Sequence, residues 1–305
     1  MKILIAGAGA TGGYFGARLS QSGRDVTFLV RSQRAEQLHD GLRLIGPDGE
    51  ETVAVRTVTA ERIKHPYDLV IIAVKAGALN TILDQITPAV GPDTLILPFL
   101  NGMAHMHKLN LRFGAERVLG GIVRVVTTVT SSGAIHQMKP IATMDFGPQD
   151  GLATRELEAI REQLDVPGYK LTFTTDIVDA MWKKWVFITA AGVVTCLMRG
   201  SVGDIMAAGG QHFIDQVIDE TEWVAAAAGH HVTAKDHSAT VQMLTEPGSV
   251  FTSSLYRDVA AGLPHEGEHL LGSFVDTAAG FHLDTPLTKL ALLQLRTHDL
   301  ATAKA

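Results

Sequence analysis

Three glycines near the start of the chain have the spacing of a dinucleotide-binding loop. Gly7, Gly9 and Gly12 spell G-x-G-x-x-G directly after the apolar run "KILIA" and at the start of a helical stretch. The first glycine permits a tight turn, the second lets a pyrophosphate approach the backbone, and the third allows close helix–strand packing. A helix N-terminus also offers unpaired N–H groups to phosphates. The residues predicted to bind the cofactor here are Gly7, Ala8, Gly9, Ala10, Thr11 and Gly12.

Two alternatives to a dinucleotide site stay open at this loop. The glycines could form a tight turn without a ligand, or the same fold could hold another nucleotide-like ligand.

The end of the second predicted strand indicates which dinucleotide to expect. An NAD site usually has an acidic residue there for the ribose hydroxyls, but this strand ends "FLVRSQR" and Asp25 stands at its beginning. Arg31 and Arg34 flank the end instead, and guanidinium groups suit the 2′-phosphate of NADP. We therefore expect NADP(H) as the cofactor, with Arg31 among its ligands. The alternative is that both arginines only begin a solvated helix.

Polar residues also end two further apolar strands. Lys75 ends "LVIIAVK" and Asn101 ends "LPFLNG". Ligands of open parallel sheets bind outside the carboxyl ends of the strands, so both residues are predicted to face the cofactor crevice. The alternatives are a solvated strand end for Lys75 and a simple turn at Asn101.

Two lysines stand between two tryptophans in "MWKKWVFITAAGVV", at the start of a long apolar run. Burying a lysine costs several kcal/mol, so the position of Lys183 and Lys184 needs a reason. A positioned ammonium group can stabilise charge that develops on a carbonyl oxygen and can then supply a proton. The alternative is that both lysines extend to solvent at a helix end.

Strands alternate with helices in the first half of the chain, which predicts βαβ units and a mostly parallel sheet. The predicted strands include "KILIAGAG", "DVTFLV", "YDLVIIAVK" and "DTLILPFLNG". The segments "IVRVVTTVTSSGAIHQ" and "IATMDFG" are expected to be strands at the sheet edge, joined by a turn at Ser132–Gly133. The fold class expected here is an α/β domain of the Rossmann type.

No β-rich run remains after about residue 176, and apolar residues recur at helical spacing. An all-α second domain is therefore expected. The predicted boundaries are 1–174 for the NADP-binding domain and 175–305 for the C-terminal substrate and catalytic domain. The predicted helical segments are 178–198, 211–228, 236–245 and 267–280, followed by "PLTKLALLQLRTH".

Composition narrows the functional classes. The chain has 305 residues and a net charge of −6, which argues against nucleic-acid and anionic-membrane partners. Its one cysteine, Cys196, excludes an internal disulfide, and we expect a reducing, cytoplasmic setting without a signal peptide. The longest apolar run, from Trp185 to Met198, is too short to span a bilayer and predicts a buried core helix.

The segment "HEGEH" at residues 265–269 fits the zinc-protease pattern H-E-x-x-H. Pro264 could start the helix that this pattern requires, but Gly267 weakens its centre and no third ligand is evident. No metal site is therefore predicted.

Taken together, these motifs resemble the ketopantoate reductase (2-dehydropantoate 2-reductase) family. The matching stretches cover both predicted domains: "GAGATGGYFG", "AVKA", "LNGM", "MWKKWVF" and "SSLYRDVAAGLPHEGEHLLG". The resemblance implies NADPH-dependent reduction of a small 2-oxo acid to a 2-hydroxy acid, and a role in pantothenate biosynthesis if that acid is ketopantoate.

The resemblance also implies roles for individual residues. Lys184 would be the proton donor, while Lys183 would be a solvated neighbour pointing about 100° away on the helix. Glu266 would reach the cofactor ribose and the reacting lysine, and a carboxylate there helps keep the lysine charged. Ser254 and Asn101 would contact the substrate, and Asn101 the cofactor as well.

The chain departs from the family pattern behind the lysine. Asparagines expected four and eight residues after Lys184, on the same helix face, are replaced by Ile188 and Gly192, and another expected asparagine is Val202. We therefore expect Ile188 and Gly192 to line a rebuilt substrate site, with Gly192 leaving room that an asparagine would fill. A substrate other than ketopantoate follows from this.

Two other functions remain open on sequence grounds. One is a related reductase acting on β-hydroxy acids or imines, and the other is a non-catalytic NADPH-binding sensor. The oligomeric state is open too, and a homodimer is compatible with the sequence.

Overall fold

The computed structural model describes residues 1–47 and 49–303, which form two compact units. The first comprises residues 1–100 and 105–178, and the second comprises residues 101–104 and 179–305. The predicted domain boundary between residues 174 and 175 stays a prediction.

The first unit contains all ten strands found in the described residues: β1 (Lys2–Ala6), β2 (Asp25–Leu29), β3 (Leu42–Gly46), β4 (Gly49–Val53), β5 (Arg56–Val58), β6 (Leu69–Ile72), β7 (Leu95–Pro98), β8 (Leu119–Val129), β9 (Ile135–Pro148) and β10 (Lys170–Phe173). Its helices are α1 (Ala10–Gln21), α2 (Ser32–Gln37), α3 (Leu79–Ile86), α4 (Ala104–Phe113, whose first residue belongs to the second unit) and α5 (Arg155–Leu164).

The second unit contains helices joined by loops and no strand in its described residues. Its helices are α6 (Ile177–Met198, which begins in the first unit), α7 (Val202–Ala207), α8 (Gln211–Ala227), α9 (Ala234–Leu244), α10 (Ser254–Ala260), α11 (Ser273–Gly280) and α12 (Pro286–Thr302). A π-helical turn at Glu268–Gly272 leads into α11. The predicted combination of an α/β domain with an all-α domain is confirmed.

A five-stranded parallel sheet positions the glycine loop. Its strand order is β5-β2-β1-β6-β7, and the inner residues of β1 and β6 are fully buried, as apolar runs covered on both faces should be. The chain leaves β1 toward β2 on one side, while β6 lies on the other side. The carboxyl ends of β1 and β6 therefore form a topological switch point, where open sheets bind ligands.

The placement of two predicted strands at the edge of this sheet is wrong. β8 and β9 pair antiparallel in a second sheet, in which β9 also pairs parallel with β3 and β10. β9 has 14 residues, which is long enough to offer both of its edges to several partners. The polar hairpin of β3 and β4, rich in glutamate at "GEETV", completes that sheet.

α6 is the helix that places the two lysines. It is long and apolar enough to cross a membrane, but 67% of its most apolar stretch is buried inside the protein. Such burial is typical of the core helix of a globular protein. The prediction of a core helix from Trp185 to Met198 is consistent with this.

A buried carboxylate fixes the start of α12. Glu220 of α8 is only 6% exposed, and it accepts the backbone N–H groups of Leu287 and Thr288 at 3.0 and 2.8 Å. Helix N-termini leave such N–H groups unsatisfied and favour negative charge. Glu220 therefore caps α12 from a distant helix and ties two elements of the second unit together.

Candidate functional site

The glycine loop has the geometry that its spacing predicts. Gly7 has a φ of +108°, and a Cβ atom there would lie 2.8 Å from the carbonyl oxygen of Ala73. A Cβ atom on Gly12 would lie 2.2 Å from the carbonyl oxygen of Gly7. Neither position can accept a side chain, because backbone atoms rather than flexible side chains occupy the space.

Gly9 differs from its two neighbours in the motif. A Cβ atom on Gly9 would meet nothing within 4 Å, so this glycine faces open space. Gly9 is also the N-cap residue of α1, where no side chain caps the helix and the first turn carries no acidic residue. A cradle with free space and uncapped N–H groups fits the pyrophosphate of a dinucleotide.

The two arginines after β2 lie in different environments. Arg31 is exposed and precedes α2 as its N-cap residue. Arg34 is half-buried, and its guanidinium donates to the carbonyl oxygens of Ala8 and Gly133, while burial lowers the pKa of Arg34 below its ordinary value. Arg31 is thus the better candidate for a 2′-phosphate, since Arg34 is held by the backbone.

Lys75 lies beside the loop at the switch point of the sheet. β6 ends at Ile72, and exposed Lys75 follows three residues later, before a short 3₁₀ turn. The backbone N–H of Ala73 donates to the carbonyl oxygen of Ala6 at 2.9 Å, so the segments after β6 and β1 run side by side. This placement agrees with a cofactor-facing role, which stays a prediction.

The two lysines on α6 lie in different environments. Lys183 has 38% of its side chain exposed and forms a 3.1 Å ion pair with Asp236. A hydrogen bond from Thr233 and the ion pair with Lys183 hold the pKa of Asp236 below its ordinary value. Lys184 is half-buried and precedes Trp185, whose side chain is almost fully buried. Lys183 therefore has a structural partner at the surface, and Lys184, as the next residue of the helix, is rotated about 100° from it.

Two neighbouring serines have separate tasks. Ser253 is buried, caps α10 by accepting the backbone N–H of Tyr256 at 3.0 Å, and shares a 2.8 Å hydrogen bond with Thr195. Ser254, the first residue of α10, is exposed. Ser254 is thus the accessible serine of the pair, and its role in substrate binding stays a prediction.

The turn at Asn101 is fixed by a histidine from the H-E-x-x-H segment. His269 Nε2 donates to the carbonyl oxygen of Asn101 at 2.8 Å, and Gly102 beside it has a φ of +77°. The indole N–H of Trp185 donates to the carbonyl oxygen of Leu270 at 3.2 Å, which links α6 to the same π-helical turn. The sequence did not reveal His269 as a positioning residue, because it belongs to the H-E-x-x-H segment, which matches a zinc-protease pattern without forming such a site.

The H-E-x-x-H segment does not form a zinc-protease helix. His265 and Glu266 precede the π-helical turn, and His265 is hydrogen-bonded to Asp299 at 2.8 Å. The two histidines therefore have different partners and do not share a helix face. Residues 1–47 and 49–303 contain no cluster of three or more potential metal ligands.

The predicted site residues divide between the two units. The glycine loop, Arg31 and Lys75 belong to the first unit. The second unit contains Asn101, Lys184, Ile188, Gly192, Ser254 and Glu266. Lys184 and half-buried Ile188 are one turn apart on α6 and share a face.

The expectation of free space at Gly192 is wrong. Gly192 is buried, and a Cβ atom there would lie 3.3 Å from Leu255 Cδ2 and 3.6 Å from Leu271 Cδ2. Leucine methyl groups from α10 and the π-helical turn already pack against the position that the Cβ atom of an asparagine would take. Gly192 thus allows close packing of α6, and half-buried Ile188 is left as the accessible substitution on the lysine face.

Gly192→Asn is therefore expected to destabilise the protein. Overpacking costs about 1–3 kcal/mol, and the buried amide adds a penalty if it lacks partners. Thermal unfolding should show a lower Tm for Gly192→Asn than for Ile188→Asn, which changes a half-buried position. Equal Tm values for the two variants and the wild type would contradict this expectation, because they would show that Leu255 and Leu271 move aside for the asparagine side chain.

Comparison with known proteins agrees with this geometry. The family model described as "Ketopantoate reductase PanE/ApbA" matches residues 3–151, and its C-terminal counterpart matches residues 176–298. An uncharacterized oxidoreductase of Bacillus subtilis, YkpB, is 32% identical over 98% of this chain and 99% of its own length.

Similarity extends to named reductases. A 2-dehydropantoate 2-reductase of Mesorhizobium japonicum is 26% identical over 97% of both chains. The crystal structure of the Geobacter metallireducens 2-dehydropantoate 2-reductase superposes with a TM-score of 0.87 at 25% identity, covering 97% of this chain and 99% of that one. This chain therefore belongs to the ketopantoate reductase PanE/ApbA family of oxidoreductases.

Proposed function

We propose that this protein reduces a 2-oxo acid to the corresponding 2-hydroxy acid with NADPH. The observation that carries the proposal is the glycine loop, which is closed to side chains at Gly7 and Gly12 and open at Gly9. The loop supports a dinucleotide, and the relatives named as 2-dehydropantoate 2-reductases support the reaction class.

The choice of NADPH over NADH rests on the end of β2. Arg31 is exposed there, and no acidic residue stands at the position that would bind ribose hydroxyls. Lys75 adds a second cation beside the glycine loop. Positive charge at this point favours binding of the 2′-phosphate of NADPH, and it adds no affinity for the ribose of NADH.

The residues of the second unit supply the acid chemistry. NADPH, when bound at the glycine loop, would supply a hydride for the carbonyl carbon, and negative charge would then develop on the substrate oxygen. Lys184 would stabilise that charge and donate the proton, while Glu266 would keep the lysine protonated. Ser254 and Asn101 would hold the substrate, with Asn101 also at the cofactor. In this proposal residues 1–174 bind NADPH, and residues 175–305 supply most of the substrate site.

A soluble cytoplasmic enzyme fits the remaining observations. Cys196 is buried, and burial raises the pKa of its thiol to about 12, so the thiol stays protonated and unreactive. One inert cysteine suits a reducing compartment.

We propose an apolar 2-oxo acid as the preferred substrate, because Ile188 stands one helical turn beyond Lys184. A hydroxyl of ketopantoate placed against isoleucine loses its partner at a cost of about 1–3 kcal/mol, or roughly 5- to 150-fold in kcat/KM. Steady-state kinetics on ketopantoate and a graded series of aliphatic and aromatic 2-oxo acids should rank ketopantoate low. The highest kcat/KM for ketopantoate would contradict the proposal.

The Ile188→Asn variant is the matched test of this residue. It restores an amide on the face of Lys184 and should raise kcat/KM for ketopantoate relative to the best aliphatic acid. The same panel, extended with imines and β-oxo acids, separates the two other functions. Turnover of imines or β-oxo acids alone would indicate a related reductase, and NADPH binding without any turnover would indicate a sensor.

A further inference from the structure

Arg34 connects the glycine loop to a distant turn of the first unit. Its Nε and Nη2 atoms donate to the carbonyl oxygen of Ala8 at 3.2 and 3.0 Å. Its Nη1 atom donates to the carbonyl oxygen of Gly133 at 2.9 Å and to Gln37 Oε1 at 3.1 Å. Four of the five N–H donors of this guanidinium are thus occupied within the protein.

The carbonyl that Arg34 holds belongs to the peptide unit between Ala8 and Gly9. Because this peptide is planar and trans, its C=O and N–H groups point in opposite directions. Fixing the Ala8 oxygen toward Arg34 therefore turns the Gly9 N–H away from Arg34. Gly9 is the glycine that faces open space at the start of α1.

The turn at Gly133, which accepts the other hydrogen bond of Arg34, is held by a hydrogen bond of its own. Gly133 lies in the turn between β8 and β9 with a φ of +81°, and its N–H donates to the carbonyl oxygen of Thr130 at 2.9 Å. A Cβ atom on Gly133 would lie 2.8 Å from Arg34 Nη1, so the turn closes tightly on the guanidinium. Arg34 thus has a fixed anchor from which to hold the loop.

We propose that Arg34 is a positioning residue that orients the Gly9 N–H toward the cofactor pyrophosphate, and that it does not bind the 2′-phosphate. The inference rests on the proposed function, since it requires a dinucleotide in the loop. The charged donor also polarises the Ala8–Gly9 peptide, which makes its N–H a stronger donor to an anion. The pyrophosphate is common to NADPH and NADH, so Arg34 should support both cofactors equally.

Calorimetric titration of NADPH and NADH tests this inference. Arg34→Ala should weaken both cofactors by a similar factor of roughly ten, the lower end of what losing a hydrogen bond to a charged group costs. The ratio of the two dissociation constants should stay within about twofold of the wild-type ratio, because the contact with the 2′-phosphate is retained. The Tm of the same variant separates this effect from general loosening of the fold. Gln37→Ala, which removes a contact of Arg34 but leaves both carbonyl contacts, is the matched control and should bind like the wild type.

Three outcomes would overturn the inference. Selective loss of NADPH binding in Arg34→Ala would make Arg34 a 2′-phosphate ligand. Unchanged binding of both cofactors would make the loop independent of Arg34. If the wild type binds neither cofactor, the proposed function itself fails, and the inference fails with it. Should Arg34→Ala not fold, Arg34→Lys and Arg34→Gln, checked by their Tm, give the same comparison of the two dissociation constants.

Discussion

Lys184→Ala should lower kcat/KM for reduction of the best 2-oxo acid by about 10²- to 10⁴-fold, the usual contribution of a general acid. The substrate oxygen would then lose both its nearby cation and its proton donor. Cofactor affinity should be retained, because the glycine loop and Arg31 belong to the first unit. Steady-state kinetics together with calorimetric titration of NADPH would show both effects.

Lys183→Ala is the control for this experiment. Its ammonium forms a surface ion pair with Asp236, and such pairs contribute about 0–1 kcal/mol to stability. Activity should therefore stay near that of the wild type, with at most a small decrease in Tm. Full activity of Lys184→Ala, or equal loss of activity in both variants, would reduce the lysine pair to a structural role.

Arg31→Ala should remove the preference for NADPH. Losing a charge-assisted hydrogen bond to a phosphate costs about 1.5–3 kcal/mol, which corresponds to roughly 10- to 150-fold in the dissociation constant of NADPH. Binding of NADH should hardly change, because NADH lacks the 2′-phosphate. Kinetics and calorimetry with both cofactors would measure this difference.

Arg62→Ala is a suitable control for the loss of an exposed positive charge at a 3₁₀ turn. It should leave the dissociation constants of both cofactors unchanged. Equal use of NADH and NADPH by the wild-type protein would contradict the assignment of Arg31.

The glycine loop was predictable because its geometry is local. A tight turn at Gly7, an open position at Gly9 and close packing at Gly12 all follow from residues within one strand–turn–helix unit. The alternation of strands and helices predicted the parallel sheet for the same reason. The central strands β1, β6 and β7 of that sheet are short apolar runs that are mostly buried, a pattern visible in the sequence itself.

The environment of Gly192 could not be predicted in this way. Helical periodicity placed Gly192 on the face of Lys184, but the leucines that fill the space beside it come from residues 255 and 271. The second sheet was missed for a similar reason, since β9 pairs with β3, which lies far earlier in the sequence. The charge of Arg34 was visible in the sequence. Its hydrogen bond to the carbonyl oxygen of Gly133 could not be predicted, because it forms only when two distant segments fold together.

The most direct test of the central claim is an isotope-transfer experiment with NADPH that carries deuterium at both hydrogen positions of C4 of the nicotinamide. The purified protein would be incubated with this cofactor and the most active acid of the 2-oxo acid panel, and the product analysed by mass spectrometry and NMR. We predict one deuterium at C2 of a 2-hydroxy acid for each NADPH consumed, and almost no consumption of NADPH in the same time with Lys184→Ala. Consumption of NADPH without a labelled 2-hydroxy acid, or no consumption with any 2-oxo acid, would contradict the proposed function.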